Sequence, residues 1–260
     1  MSLKLDNIIE VKDITVYYKE KDIIKKIKGN KGKTGIEGVS FGVKKGEIFS
    51  IIGLNGAGKT STMKSMLGLL KTDRGEVRIF GKKNIKGEDY KKIGYLPEIS
   101  YYPQTLKLKE VLNYYGELYE IPYKKRKKTS EDLARELGIY DRMNDRLEKF
   151  SKGMLQKVGL AQSIMGEPEI LFLDEPMSGL DPQARKKVID IMEDLKKKNT
   201  TIIFNTHILN DVSNLADRVA IMHNGQLLEV KSVKKLKEKI GEGFSLEKYF
   251  IDRIGGKNLD

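Results

Sequence analysis

The residues best suited to chemistry lie in Gly53-Leu54-Asn55-Gly56-Ala57-Gly58-Lys59-Thr60-Ser61, a G-x-x-x-x-G-K-[ST] spacing. Glycines at 53, 56 and 58 permit backbone angles that turn successive N–H groups inward on an anion. Lys59 opens a stretch with helical apolar spacing, and the N-terminal dipole of such a helix favours the same anion. This arrangement suits the phosphates of a nucleoside triphosphate. Lys59 would serve the β- and γ-phosphates, and the Thr60 hydroxyl would bind Mg²⁺. Asn55, Ala57 and Ser61 complete the cradle. A second pair, Asp174-Glu175, closes the apolar run Ile170–Leu173. Asp174 suits Mg²⁺, directly or through water, and Glu175 suits polarising an attacking water. His207, just after the run Thr201–Phe204, offers a donor for a γ-phosphate. Ser151 and Gly153 stand at the start of another predicted helix, a second anion site in the same chain. One γ-phosphate hardly needs both, unless the second serves a partner's nucleotide.

The elements that must position these groups follow from apolar spacing. Residues 8–18 alternate apolar and polar, as an exposed-edge or antiparallel strand does. Residues 19–35 are lysine-rich and broken by Gly29, Gly32 and Gly35, which predicts a surface hairpin or loop insertion. Further strands are expected at 39–43, 47–52, 76–80 and 93–97. From about 108 to 165 the pattern turns helical and charged. Strand signals return at 170–173, 201–204 and 219–222, separated by helical stretches 182–198 and 209–215. Alternating strands and helices imply a parallel sheet with ligands at the carboxyl ends of its strands, which would bring Asp174 and Glu175 to the glycine-rich loop. The expected fold class is α/β, a P-loop NTPase core with a mixed or parallel sheet, an antiparallel β-subdomain and an inserted helical subdomain. Its parts are 1–96 (β-subdomain and glycine-rich loop), 97–166 (helical insertion), 167–230 (second part of the core) and 231–260 (helical tail).

Composition narrows the partners. With 39% hydrophobic and 33% charged residues in 260, the chain can bury a sizeable core. It has no cysteine, which excludes disulfides, thiol nucleophiles and cysteine-bound metal. Met1–Asp6 lacks the apolar core of a secretory signal, and no apolar run approaches bilayer length. The net charge of +12 would suit nucleic acid or an anionic membrane surface. Neither Lys19–Lys33 nor Lys124–Lys128 carries the interleaved aromatics of a single-strand platform, and no nucleic-acid partner is expected.

Taken in order, these motifs resemble the ATP-binding cassette (ABC-type) ATPases, the nucleotide-binding subunits of membrane transporters. Gly53–Ser61 stands as Walker A, Phe150–Met154 as the signature, Ile170–Glu175 as Walker B, Ser178–Asp181 as the D-loop and His207 as the switch histidine. The resemblance covers about residues 8–230. It implies ATP and Mg²⁺ as ligands, ATPase activity, and head-to-tail pairing with a second copy or a similar subunit. Each ATP would then lie between Walker A of one chain and Ser151–Gly153 of the other. It also implies a separate transmembrane permease and a peripheral place on the cytoplasmic face of the membrane. Tyr18 would be the aromatic that stacks on adenine, with Tyr17 as the competing choice. Two departures stand out. Glu98 replaces the glutamine usual after the 93–97 strand, where it would still bind Mg²⁺ or water. The signature reads FSKGM instead of LSGGQ, with Lys152 and Met154 as the changed positions. Both variants resemble the export branch of the family. A soluble ABC-type ATPase acting on ribosomes or DNA is the alternative reading.

Overall fold

The computed structural model describes residues 7–18, 33–241 and 243–255. The chain divides into two compact units, Met1–Ile85 with Asn205–Asp260, and Lys86–Phe204. Residues 19–32, most of the predicted lysine-rich insertion, lie outside the described residues.

In the first unit, β1 (Asn7–Tyr18), β2 (Lys33–Lys44) and β4 (Arg74–Ile79) form an antiparallel sheet in the order β2-β1-β4. Val11 faces Phe41 on one side and Val77 on the other, so β1 is the central strand and not an edge. Its buried residues Ile9, Val11, Ile14 and Val16 supply the packed face. Gly35, expected to interrupt regular structure, instead lies within β2. A second set of strands holds β3 (Ile48–Ile52), β8 (Arg218–His223) and β9 (Gln226–Ser232). β3 runs parallel to β8, and β9 returns antiparallel through the turn Asn224-Gly225. The helices of this unit are α1 (Lys59–Met66), α7 (Leu209–Leu215), α8 (Val233–Ile240) and α9 (Leu246–Ile254). The last two are the predicted tail. α9 buries Leu246, Tyr249 and Phe250, and the Tyr249 hydroxyl donates to Glu229 Oε1 of β9 at 2.7 Å.

In the second unit, β5 (Ile93–Leu96) runs parallel to β6 (Ile170–Asp174), and β7 (Thr201–Asn205) lies on the other side of β6. A strand flanked on both edges and covered on both faces needs an unbroken apolar sequence, and every residue of β6 is buried. The helices are α2 (Glu88–Lys91), α3 (Leu108–Leu118), α4 (Tyr123–Glu136), α5 (Lys152–Ile164) and α6 (Pro182–Lys197). Ser151 and Asp181 cap α5 and α6, accepting from Met154 N and Ala184 N. Pro182 fills the first position of α6, where a missing N–H costs nothing. Among the described residues no helix is long and apolar enough to cross a membrane.

Candidate nucleotide site

The glycine-rich loop connects β3, whose five residues are all buried, to α1. Leu54, Asn55 and Gly56 form its exposed tip, whereas Gly53, Ala57 and Lys59 are buried and Gly58, Thr60 and Ser61 are half-buried. Gly58 caps α1 at φ 100°, and its carbonyl accepts from Thr62 N at 2.9 Å, closing the first turn. Lys59 is 8% exposed, and its ammonium donates to the Gly53 carbonyl at 2.8 Å and the Leu54 carbonyl at 3.3 Å. The cation thus arches back over the loop it follows in sequence. A phosphate in the loop would meet both the N–H groups and this ammonium.

The turn after β8 braces this loop, a role its sequence did not suggest. Gly225 N donates to Ala57 O at 3.1 Å, and Glu37 N donates to Gly225 O at 2.9 Å. The Thr62 hydroxyl reaches Met222 Sδ at 3.4 Å. The dipeptide Asn224-Gly225 signals a hairpin but not what the hairpin supports.

Tyr18 ends β1 at 46% exposure, with its hydroxyl 2.6 Å from Ser61 Oγ on α1. Tyr17 is less exposed and its backbone N–H is held by Asp73 Oδ2 at 2.8 Å. A Cβ on Gly35 would fall 2.5 Å from Tyr18 Cε2, so the glycine makes room for the ring. Of the two tyrosines, Tyr18 alone pairs an accessible ring with an attachment to the glycine-rich loop's helix. Were the Tyr18 ring to stack on the base of ATP, as the resemblance implies, Tyr18→Ala would weaken ATP binding by on the order of tenfold. Titration with a fluorescent ATP analogue checks it, and Tyr17→Ala should leave affinity close to wild type.

The carboxylates belong to the second unit. Asp174 is 1% exposed at the last position of β6, and Glu175 follows half-buried at φ 51°. A left-handed backbone at a residue other than glycine costs about 1–3 kcal/mol and persists only where the surroundings hold it. Donors to its carbonyl help hold this one. Ser178 N reaches Glu175 O at 3.0 Å, and the buried Gln156 amide reaches the same oxygen at 3.2 Å. Tyr95, half-buried on the neighbouring strand, has its pKa pushed up to about 12, first by burial and then by the charge of Asp174.

The signature turn meets the loop after Glu175 in the same unit. A Cβ on Gly153 would approach Gly179 O at 2.9 Å, and the Lys152 stem lies against Gly179. Ser151 and Lys152 are exposed, as is Glu98 two residues beyond β5. His207 is exposed in the turn between β7 and α7, within the first unit. Among the described residues no group of three or more His, Cys, Asp or Glu side chains could by itself hold a metal.

A buried strand, a glycine-rich loop cupping its own lysine and a capped helix define a P-loop nucleotide-binding protein. The family model described as ABC transporter matches residues 36–178, more than half of the chain. The chain belongs to that family. An uncharacterized ABC transporter ATP-binding protein of Synechocystis is 39% identical over 201 residues, 76% of this chain and 57% of that protein. The linearmycin resistance ATP-binding protein LnrL of Bacillus subtilis is 34% identical over 223 residues, 84% of this chain and 70% of LnrL. A solved ATP-binding subunit of an ABC transporter superposes with a TM-score of 0.82 at 30% identity, covering 95% of this chain and 99% of that one. The mixed antiparallel and parallel α/β fold expected from the sequence is that of the family.

Proposed function

We propose that this chain binds and hydrolyses ATP as the nucleotide-binding subunit of a membrane transporter of the export type. The observation that carries the reading is the loop Gly53–Ser61, with Gly58 capping α1 at positive φ and the Lys59 ammonium folded over it. Lys59 and the loop N–H groups neutralise the β- and γ-phosphates, and Tyr18 stacks on the adenine. Glu175 orients the attacking water and His207 donates to the γ-phosphate. Thr60, Asp174 and, through water, Glu98 would hold Mg²⁺, which supplies charge neutralisation on the phosphate oxygens. Their donor set fits this ion, because Mg²⁺ keeps several waters and takes one or two carboxylates plus substrate phosphates.

Two copies, or this chain and a similar subunit, pair head to tail. Ser151 and Gly153 of each then complete the ATP site of the other, and ATP-driven closure powers a separate transmembrane subunit. The permease is a separate chain in this reading, and this one sits against the cytoplasmic face of the membrane. Export is favoured by the resistance function in the name of LnrL and by the FSKGM signature. The test is a tagged pull-down from membranes in mild detergent, with and without ATP. A multi-span membrane protein in stoichiometric amount is the expected result. Ribosomes or DNA, with no membrane protein, would overturn the transporter assignment in favour of a soluble ATPase.

A further inference from the structure

Gln156 is a long polar side chain on the buried face of α5, 4% exposed, beside Val158, Gly159 and Leu160. A buried amide needs a partner, and its Nε2 donates to the backbone carbonyl of Glu175, 19 residues away, at 3.2 Å. Glu175 is also one of the non-glycine residues whose backbone lies in the left-handed region, at φ 51°. A long unbranched acid has no intrinsic preference for the left-handed region, so its conformation is imposed from outside. The turn bond from Ser178 N closes the local loop. Gln156 adds a tether from a different element. That element begins at Ser151 and Lys152, with Gly153 packed under Gly179 just beyond Glu175. The second unit therefore joins the first turns of α5 to the residue after β6 and to the loop that follows it.

We propose that Gln156 is a positioning residue for turnover, fixing the backbone of Glu175 so that its carboxylate faces the attacking water. Through Gln156, the helix whose first turn grips the partner subunit's ATP also sets the water-orienting group of its own chain. This inference rests on the reading of Glu175 as the residue that orients water.

The experiment measures ATP turnover, KM for ATP and thermal unfolding in the full-length chain. It compares Gln156→Met, Gln156→Asn, Glu175→Gln and the double variant Gln156→Met/Glu175→Gln. Methionine matches the glutamine in volume but has no donor; asparagine keeps the amide one methylene short. The expected result is a kcat on the order of 10- to 100-fold lower for Gln156→Met, since small misplacements of a reacting group cost this much. KM and the unfolding midpoint should stay near wild type, and asparagine should fall between. In the Glu175→Gln background the methionine should cause no further loss, because both changes act on one group. Wild-type kcat in Gln156→Met, with Glu175→Gln inactive, would overturn the inference and leave the ATPase reading standing. Loss confined to KM, or a full multiplicative loss in the double variant, would overturn it equally. If Gln156→Met does not fold, the same criteria apply to Gln156→Asn. Normal turnover in Glu175→Gln would remove the water-orienting assignment itself, and the inference with it.

Discussion

Glu175→Gln is expected to bind ATP at least as tightly as the wild type while turning it over on the order of 10²–10⁴-fold more slowly, the usual range for losing a positioned base. The substitution keeps the volume and the hydrogen-bonding reach of the side chain but removes its charge. In the proposed site phosphate binding rests on the N–H groups of the loop and on Lys59, none of which the change touches. Removing one negative charge from the neighbourhood of a triphosphate favours binding. Turnover is different, because the water must lose a proton as it attacks, and a neutral amide cannot assist that step. The backbone tether is preserved too, since Gln156 and Ser178 donate to the backbone carbonyl of residue 175, which the substitution leaves in place. Phosphate release under saturating MgATP, measured beside equilibrium ATP binding, separates the two effects. Turnover near the wild-type level would show that the charge of Glu175 does not assist the attack.

Much of this site is legible in the residues because the chemistry is local. A phosphate loop needs its glycines, lysine and hydroxyl within one strand–turn–helix, so Ile48–Ile52 and Lys59–Met66 follow from contiguous sequence. The apolar run ending in Asp174 reads as a central strand for a similar reason: burial on both faces leaves no alternation to misread. Asp181-Pro182 announces a helix start because cap and first-turn preferences are short-range. What the sequence hides is mostly pairing. Gln226–Ser232 buries none of its residues fully, so its apolar signal is faint, and it becomes a strand by pairing with β8. Residues 7–18 alternate whether the strand is central or at an edge, and only β4 on the far side decides. Adjacent Tyr17 and Tyr18 point to opposite faces, and which face meets α1 depends on the fold. The positive φ of Glu175 has no signature at all, since glutamate is not a residue that invites it.

Gly58→Ala is expected to damage nucleotide binding severely, and Gly56→Ala supplies its control. Gly58 sits at φ 100°, and an added Cβ would lie 2.6 Å from Ile36 Cγ2, 3.1 Å from Gly35 O and 3.2 Å from Met222 Cε. Ile36 is fully buried and cannot swing aside into solvent. Gly56, at φ 79°, has nothing within 4 Å of the same added atom. Both alanines incur backbone strain of about 1–3 kcal/mol, but only the one at 58 also collides with its surroundings. The loop can relieve that collision by rotating the peptide ahead of Lys59, which disturbs both the N–H groups meant for phosphate and the Gly58 carbonyl that anchors Thr62. With each tenfold in affinity equal to about 1.4 kcal/mol, combined strain and misdirected donors should cost ATP binding more than 10²-fold at Gly58. At Gly56 about tenfold is expected. The thermal unfolding midpoint should drop in both variants, and further in Gly58→Ala. Calorimetric titration of ATP into the two variants and the wild type decides the matter. Equal affinities for Gly56→Ala and Gly58→Ala would mean that the packing of Ile36 and Met222 against the loop does not shape the phosphate cradle.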